Sequence, residues 1–339
     1  MKPDLERWGE DLPDVIHGCW QLSAGHGHSW SDAEVDHALD RAADAEVPCV
    51  LDMADIYTGV EERVGSWLAR RPPGQRRVRI HTKFVPDLGS LGGVDSRWVR
   101  ASVNRSLRRL GVEHLDLVQF HWWDFDVPGW IEAAATLADL VRVGKLGAVG
   151  VTNFDQSRLR QLLDAGVPVV SNQIQWSVLD RRPGRGLADF CLVRGIRLLC
   201  YGTLAGGLVS KRWHGVERPP GGNRSVAKYL QVVDEIGGWE ALQGLLDVLS
   251  AVAASCDLSY EEVAMSYVRH QPAVASLIVG LSSNPDRLRL SLVALDSTQR
   301  KAVERAIRRT VPGDVYQVER VLDGPHARLM RYDLGGVPE

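Results

Sequence analysis

The sequence predicts a (β/α)₈ barrel, in which eight parallel strands form a closed ring surrounded by helices. Short β-branched or apolar runs alternate along most of the chain with longer segments whose apolar residues recur at helical spacing. Eight strand-like runs occur, and a helix-like segment follows nearly every one, which is the count that such a barrel requires. The 339 residues, 45% of them hydrophobic, show no shift in composition that would mark a second domain. We therefore expect one domain over 1–339, with a doubly wound sheet as the alternative fold.

Strands are predicted wherever a short apolar or β-branched run lies between turn-forming residues. In chain order they cover 15–22, 49–54, 78–84, 115–121, 148–153, 169–175, 197–201 and 276–280. Helices are predicted where the apolar spacing changes to that of a helix, over 31–45, 61–70, 95–110, 131–143, 156–165, 186–194 and 240–254. In the first helix, Ser31 is a suitable N-cap and Glu34 completes a capping box.

Two segments rich in glycine and proline interrupt this alternation, at 205–235 and 310–339. Long loops of this kind are usually functional or disordered. Because the active site of a barrel lies at the C-terminal ends of its strands, we expect both segments to lie over that mouth. Together with 123–130, they are expected to determine substrate specificity.

The charge and the cysteines narrow the class of protein. A net charge of −3 provides no general attraction to nucleic acid or to anionic membranes, so a small molecule is the expected partner. No apolar run reaches the roughly 18 residues of a membrane span, and the first residues lack the apolar region of a signal peptide. The five widely spaced cysteines are typical of buried thiols in a reducing compartment. We expect a cytoplasmic protein.

Four polar residues occur at or just after the ends of three successive predicted strands. Asp52 and Tyr57 follow the second strand, Lys83 ends the third, and His121 ends the fourth. Because residues two apart on a strand share a face and the strand ends meet at one rim, these four side chains are expected to converge. Each has an ordinary structural explanation when taken singly. Their combination at one rim predicts a catalytic centre.

The chemistry of this group fits protonation of a carbonyl oxygen by Tyr57. Free tyrosine has a pKa of about 10, which is too high for an effective acid at neutral pH. An ammonium about 4 Å away in an effective dielectric near 20 supplies roughly 4 kcal/mol, enough to lower that pKa by two to three units. Lys83 would provide this charge, Asp52 would balance it, and His121 would hydrogen-bond and orient the substrate oxygen.

Several motifs around these residues resemble the aldo-keto reductase family, whose catalytic Asp, Tyr, Lys and His occur in this chain order. The family's opening G-x-W motif is matched by GCWQL at 18–22, and its K-x-x-x-x-G-V-S-N-F segment by KLGAVGVTNF at 145–154. The N-Q pair at 172–173 and YGTL at 201–204, in place of Y-S-P-L, extend the resemblance. It covers roughly 15–294.

The resemblance implies a nicotinamide cofactor and a site for it. Thr152, Asn153 and Gln173 would hydrogen-bond the carboxamide, while Tyr201 would stack on the nicotinamide ring. Thr152 replaces the family's usual serine and keeps the hydroxyl. The resemblance also implies cofactor contacts from the turn after the seventh strand, at Gly202, Thr203, Leu204 and Gly206. The serine and proline usual in that turn are absent, so its geometry near the pyrophosphate is expected to differ.

The resemblance further implies a substrate wall at Trp20 and Trp122. Where many relatives have a basic residue for the adenosine 2′-phosphate, this chain has Ser282 and Ser283, with Arg287 one helical turn further on. Hydroxyls at a helix start followed by a cation suit a phosphate, so NADP(H) is favoured and NAD(H) is the alternative.

The expected activity is reversible reduction of an aldehyde or ketone by hydride transfer from NAD(P)H. A second hypothesis is a cofactor-binding barrel that acts as a redox sensor or interaction subunit with little turnover. A third is a metal-dependent hydrolase that would use Asp52, Asp55, Asp124 and His121. The sequence has no G-x-G-x-x-G motif after a strand, and His26 and His28 have no third ligand nearby, so neither a Rossmann site nor a metal site is predicted.

Overall fold

Eight parallel strands form a closed barrel, in which each strand pairs with its neighbours in chain order and β8 returns to β1. The computed structural model describes residues 8–23, 30–45, 48–72, 78–221, 224–282 and 291–307. The strands are β1 Val15–Gly18, β2 Cys49–Asp52, β3 Val78–Phe84, β4 Leu115–Phe120, β5 Leu146–Thr152, β6 Val169–Gln175, β7 Arg197–Tyr201 and β8 Val274–Gly280. This confirms the predicted (β/α)₈ fold.

Ten α-helices surround the barrel within the described ranges. They are α1 Asp32–Ala45, α2 Val60–Arg70, α3 Ser96–Leu110, α4 Trp130–Arg142, α5 Gln156–Asp164, α6 Leu187–Val193, α7 Arg224–Ile236, α8 Trp239–Cys256, α9 Tyr260–Arg269 and α10 Ser297–Ala306. Seven correspond to predicted helices, with ends that differ by at most two residues. None of these helices taken singly is long and apolar enough to cross a membrane; only α8 and α9 together pass that test, and they meet at a bend of 90°.

Three expectations about the elements need correction. The first strand ends at Gly18, and Trp20–Leu22 forms a 3₁₀ turn instead of continuing the strand. The segment 205–235 contains α7 as well as loop, because its glycines and prolines stop before Arg224 and apolar residues then recur at helical spacing. Helices α9 and α10 were not predicted. The tail 310–339 lies outside the described residues.

Side-chain caps define where several helices begin. The predicted capping box of α1 is present: the Ser31 backbone N–H donates to Glu34 Oε2 at 2.8 Å, and the Glu34 N–H donates to Ser31 Oγ at 3.3 Å. The same reciprocal pattern starts α9 at Ser259 and Glu262. Such caps satisfy backbone donors that have no partner inside the helix. They explain how α9 begins after only three residues, 257–259, that follow the end of α8.

Apolar side chains fill the barrel interior as well as the layer between strands and helices. The inner cluster takes one residue from each of six strands: Ile16, Val50, Leu117, Ala148, Val170 and Leu199. Trp8 and Leu12, which precede the first strand, pack against this cluster. A barrel of this size encloses a packed core and no channel. The next layer toward the C-terminal mouth contains the candidate site.

Candidate active site

A buried ion pair between Lys83 and Asp52 forms the centre of the mouth. Lys83 Nζ lies 2.7 Å from Asp52 Oδ2 and also donates to the Met53 backbone carbonyl at 2.8 Å. Both charged side chains are only 5% exposed. Burial lowers the pKa of Lys83, but the charge and hydrogen bond of Asp52 together with those of Tyr57 outweigh it and raise that pKa above its usual value, so the ammonium keeps its proton. The predicted counter-charge for Lys83 is thus in place.

Two glutamine side chains donate hydrogen bonds to the other oxygen of the Asp52 carboxylate. Asp52 Oδ1 accepts hydrogen bonds from Gln119 Nε2 at 2.8 Å and from Gln173 Nε2 at 2.7 Å. Gln173 Nε2 also lies 3.0 Å from Gln119 Oε1. Sequence reasoning missed Gln119, although its position two residues before His121 places it on the inward face of the same strand. The amide nitrogen of Gln173 is engaged here, which leaves its oxygen for a ligand.

Tyr57 lies in the loop between β2 and α2, beside the ion pair. A turn fixes its backbone: Tyr57 N donates to the Ala54 carbonyl, and the Tyr57 carbonyl accepts from Val60 N, both at 3.0 Å. Lys83 Nζ is 5.3 Å from the centroid of the half-buried Tyr57 ring. The structure thus brings Tyr57 and Lys83 together, as predicted.

The direction of the Tyr57 pKa shift differs from the expectation. Burial raises the pKa of the hydroxyl, the Lys83 ammonium lowers it and Asp52 raises it, with a net value above the usual one. The expected net lowering is therefore wrong for the protein alone. The reason is that Lys83 is already paired with Asp52 at 2.7 Å, so much of its effect on Tyr57 is cancelled while the cost of burial remains. Tyr57 is protonated at neutral pH.

His121 lies at the end of β4 and is 8% exposed. Its Nδ1 is 3.3 Å from the Thr152 backbone carbonyl, and its ring meets that of Trp123 edge-on at 4.5 Å between centroids. Burial lowers the pKa of His121 to about 4, against the effect of the carbonyl contact and together with Lys83, so the ring is neutral at physiological pH. Because a carbonyl only accepts, the contact assigns the ring proton to Nδ1 and leaves Nε2 as an acceptor.

A second set of buried polar groups supports the loop that contains Tyr57. Asp55 accepts from Val85 N and from Ser102 Oγ, both at 3.1 Å, while Arg109 donates to the Asp55 backbone carbonyl at 3.1 Å. Burial, followed by the nearby charge of Glu61, raises the pKa of Asp55 to about 7. These contacts tie the Tyr57 loop to α3 and to the end of β3. The sequence analysis considered Asp55 only as a residue of a metal-dependent hydrolase.

The tryptophans of the mouth differ from the expectation in one respect. Trp122 is fully buried, packs against Phe120 and donates to the Val127 carbonyl, so it cannot form a wall for substrate. Its neighbour Trp123 is half-buried and packs on His121, because consecutive side chains leave the strand end in opposite directions. Trp20 is half-buried in the turn after β1, as a wall residue would be.

Three of the residues expected to bind the cofactor meet at the ends of β5 and β7. The Tyr201 hydroxyl donates to Asn153 Oδ1 at 3.0 Å, and Asn153 adopts a left-handed backbone with φ of 58°. Thr152 Oγ1 is buried, and within the described residues it has no hydrogen-bond partner. An unsatisfied buried hydroxyl is costly, which is consistent with a ligand group that completes it. Thr152, Asn153 and Tyr201 therefore fit a bound carboxamide and its ring.

The turn after β7 packs closely against α7. Gly202 has φ of 72°, and a Cβ there would lie 2.1 Å from the Tyr229 hydroxyl. Gly206 has φ of 65°, and its Cβ would lie 2.8 Å from the Tyr229 ring. Thr203 is buried and Leu204 is half-buried. Glycine is needed at both positions, because a side chain would collide and would be strained.

The residues expected at the 2′-phosphate are only partly described. The Ser282 carbonyl accepts from the Arg41 guanidinium at 2.8 Å, whereas Ser283 and Arg287 lie outside the described residues. The metal hypothesis finds no support: within the described ranges, no three His, Cys, Asp or Glu side chains are arranged to hold an ion. His26 and His28 lie outside those ranges.

Comparison with known proteins identifies a family whose model matches most of this chain. The model of the Aldo/keto reductase family matches residues 14–308. Protein tas of Escherichia coli is 26% identical over an alignment of 305 residues that covers 79% of this chain and 86% of that protein. NADH-specific methylglyoxal reductase of the same organism is 25% identical over 310 residues, 82% of this chain and 88% of that protein. Flagellar radial spoke protein 5 of Chlamydomonas reinhardtii is 29% identical over 306 residues, 78% of this chain but only 56% of that protein.

Solved structures show the same fold. Glycerol dehydrogenase from Gluconobacter oxydans superposes with a TM-score of 0.74 at 24% identity, covering 90% of this chain and 95% of that one. An aldo-keto reductase from Bacillus halodurans gives a TM-score of 0.69 at 21% identity, covering 88% and 93%.

Proposed function

The chain belongs to the aldo/keto reductase family, and from this membership we propose that it reduces an aldehyde or a ketone to an alcohol with Tyr57 as the general acid. One observation supports the proposal above the others: a protonated Tyr57 lies beside the buried pair of Lys83 and Asp52, at the mouth that His121 shares. A proton donor beside a fixed cation suits an oxygen that gains negative charge during reaction.

Reduction needs a hydride, which a reduced nicotinamide cofactor supplies when it is bound. Thr152, Asn153 and Tyr201 would hold the carboxamide and the ring, and the Gln173 oxygen remains able to accept from the carboxamide. The turn from Gly202 to Gly206 would face the phosphates through its backbone. Of the two cofactors we propose NADPH, because Ser282 and Ser283 follow β8 in the sequence and the Arg41 guanidinium donates to the Ser282 backbone carbonyl, which places a cation at the start of this segment. Affinities for NADPH and NADH, measured side by side, test this choice.

The side chains around Tyr57 assist the transfer of its hydroxyl proton to the substrate. Tyr57 donates to the carbonyl oxygen, and the phenolate that remains is stabilised by the Lys83 ammonium. Neutral His121 presents Nε2 as an acceptor, so it can receive a hydrogen bond from the hydroxyl of the alcohol product. This differs from the sequence-based expectation that His121 hydrogen-bonds the substrate oxygen, because a carbonyl oxygen and an unprotonated Nε2 both only accept. The walls of the substrate pocket would include Trp20 and Trp123.

Tyr57→Phe tests the mechanism because it removes only the hydroxyl. General acids contribute roughly 10²- to 10⁴-fold, so we expect a loss of that size in kcat for an aldehyde substrate, with a cofactor Kd unchanged within about twofold. Initial rates across a panel of aldehydes, ketones and sugars, with fluorescence titration of NADPH, supply both numbers. Tyr260→Phe is the matched control, since its hydroxyl contacts His214 outside the mouth.

Retention of turnover in Tyr57→Phe would contradict Tyr57 as the acid. A wild-type protein that binds NADPH but oxidises none across the panel would favour the redox-sensor hypothesis instead.

A further inference from the structure

Asp55 takes part in an irregular pairing between the loop that follows β2 and the end of β3. The backbone pairing of these two segments continues past the end of β2, because Asp55 N donates to the Lys83 carbonyl at 3.3 Å. In a regular parallel ladder, a residue that donates to one residue of the neighbouring strand also accepts, through its own carbonyl, from the residue two positions further on. The Asp55 carbonyl would then accept from Val85 N.

The Asp55 side chain takes the place of that backbone carbonyl. Val85 N donates to Asp55 Oδ1 at 3.1 Å, whereas the Asp55 carbonyl accepts from the Arg109 guanidinium at 3.1 Å. The second carboxylate oxygen, Oδ2, accepts from Ser102 Oγ at 3.1 Å. The backbone can therefore leave the ladder at Asp55 while Val85 N keeps a hydrogen-bond acceptor.

The point at which the backbone leaves the ladder determines where Tyr57 lies. Asp55 is the second residue of a turn that is closed by Tyr57 N, which donates to the Ala54 carbonyl at 3.0 Å. This turn places Tyr57 beside Lys83, whose Nζ is 5.3 Å from the centroid of the Tyr57 ring. In a ladder that continued, Tyr57 would instead lie about 7 Å further along the strand than Asp55.

The loop requires the position of the Asp55 oxygen and not its charge. The Asp55 side chain is only 3% exposed, and the Arg105 guanidinium lies 3.9 Å from Oδ2. Burial, followed by the charge of Glu61, raises the pKa of Asp55 to about 7, so both protonation states are present at neutral pH. Either state keeps an oxygen that can accept from Val85 N.

We propose that Asp55 is a positioning residue for the proton transfer: its carboxylate replaces a backbone carbonyl in the ladder and thereby sets the Tyr57 hydroxyl against Lys83. The proposal rests on the proposed function, in which Tyr57 is the general acid. Tyr57 and Lys83 belong to different segments of the chain, so their separation depends on contacts that join the loop to β3. Asp55 makes two of these contacts, through its N–H to Lys83 and through its carboxylate to Val85.

Asp55→Ala removes the acceptor for Val85 N and keeps the backbone contact with Lys83. A misplacement of about 1 Å can lower turnover by roughly 100-fold, so we expect kcat for an aldehyde to fall by about 10- to 100-fold, with the NADPH Kd unchanged within about twofold. Asp55→Asn should restore most of kcat, because its amide oxygen can accept from Val85 N and its amide nitrogen can donate to Ser102 Oγ. Asp55→Ser, whose hydroxyl is one bond too short for this contact, replaces the alanine variant if that variant does not fold.

Asp116→Ala is the matched control for stability. Asp116 Oδ2 accepts from Ile80 N at 2.8 Å, so this carboxylate of β4 also bonds a backbone N–H of β3, but near the end of the strand that is opposite to the mouth. Both alanine variants should lower the urea midpoint of unfolding, whereas only Asp55→Ala should lower kcat.

A double variant, Asp55→Ala with Tyr57→Phe, tests whether Asp55 acts through the Tyr57 hydroxyl. Its kcat should equal that of Tyr57→Phe alone, because no hydroxyl is left to position. Losses in kcat that multiply in the double variant would show that Asp55 acts independently of Tyr57.

The outcomes are distinct. A loss of kcat in Asp55→Ala that Asp55→Asn restores, and that is absent when Tyr57 is already Phe, supports the proposal. Equal kcat in Asp55→Ala and Asp116→Ala, a loss that Asp55→Asn shares, or losses that multiply in the double variant overturn it. Turnover that survives in Tyr57→Phe contradicts the proposed function itself, and that single variant identifies this result whatever Asp55→Ala shows.

Discussion

At the scale of single residues, the arrangement of side chains at the barrel mouth depends on the ion pair and hydrogen bonds of the Asp52 carboxylate. A buried carboxylate is costly unless its oxygens are paired, and here one oxygen pairs with Lys83 while the other accepts from Gln119 and Gln173. The sequence predicted the ion pair, because both charges end neighbouring strands. It did not predict the glutamines as partners of Asp52, and it assigned Gln173 to the cofactor alone. In the structure Gln173 supports the ion pair whether or not it also binds a ligand.

Comparing Gln119→Leu with Gln173→Leu separates these two roles. Each variant removes one hydrogen bond from Asp52 and should lower the free energy of unfolding by about 1 to 3 kcal/mol. Only Gln173→Leu should also weaken NADPH binding, because Gln119 Oε1 and Nε2 are both used inside the barrel. Chemical denaturation and cofactor titration measure the two effects. Equal cofactor affinities in the two variants would show that Gln173 serves Asp52 and not the cofactor.

At the scale of elements, the contact between α2 and α3 positions the loop that contains Tyr57. The two helices approach so closely that a Cβ on Gly65 would lie 2.2 Å from the Arg109 carbonyl oxygen. This approach lets the Arg109 side chain reach the Asp55 carbonyl at 3.1 Å and Glu61 Oε2 at 3.3 Å. The spacing of apolar residues predicted both helices. The distance between their axes depends on Gly65, which has no side chain at the point where the helices cross.

Gly65→Ala should therefore destabilise the protein, whereas alanine normally stabilises a helix interior. Displacing backbone at a close crossing costs about 1 to 3 kcal/mol, and the shift should also lower kcat through the Tyr57 loop. Gly244→Ala in α8 is the control, because among the described residues no atom beyond its chain neighbours and the backbone of its own helix lies within 4 Å of the added methyl group, so a gain of about 0.5 to 1 kcal/mol is expected. Urea denaturation of both variants makes the comparison. An equal gain in stability in Gly65→Ala and Gly244→Ala would show that α2 and α3 can move apart at little cost in free energy.

At the scale of the whole molecule, buried titratable groups link stability to pH. Burial lowers the pKa of His17 to about 4, of His81 to about 3 and of His121 to about 4. Below an unfolded pKa of about 6.5, the unfolded chain takes up protons that these folded rings refuse, so stability falls as the pH falls from 6.5 toward 4. Asp55 has the opposite sign: its pKa is raised to about 7, so it stabilises the fold increasingly as the pH falls from 7 toward 4.

Each group contributes about 1.4 kcal/mol per pH unit, so three histidines against one aspartate predict a net loss of about 2.7 kcal/mol per unit between pH 6.5 and 4. His17→Leu should reduce that slope by about one group, and Asp55→Asn should steepen it by the same amount. Denaturation midpoints and m-values at several pH values give the slopes. A slope that His17→Leu leaves unchanged would mean that His17 is protonated in the folded state.

The sequence alone determined the barrel, the order of its strands and the identity of the four residues at its mouth. These follow from local pattern, since apolar spacing selects strand or helix and alternation along a strand places Lys83 and His121 on one rim. Helix α7 was missed because glycines and prolines obscured the pattern that begins at Arg224.

Only the tertiary structure decided how these groups affect one another. Burial and pairing depend on neighbours from distant parts of the chain. Trp122 therefore points into the core while Trp123 faces His121, and the pKa of Tyr57 is raised although Lys83 lies beside it. Lys228 reaches Tyr201 only because α7 folds over the end of β7. The sequence identifies the four polar residues of the mouth, whereas their protonation depends on packing, which no local pattern encodes.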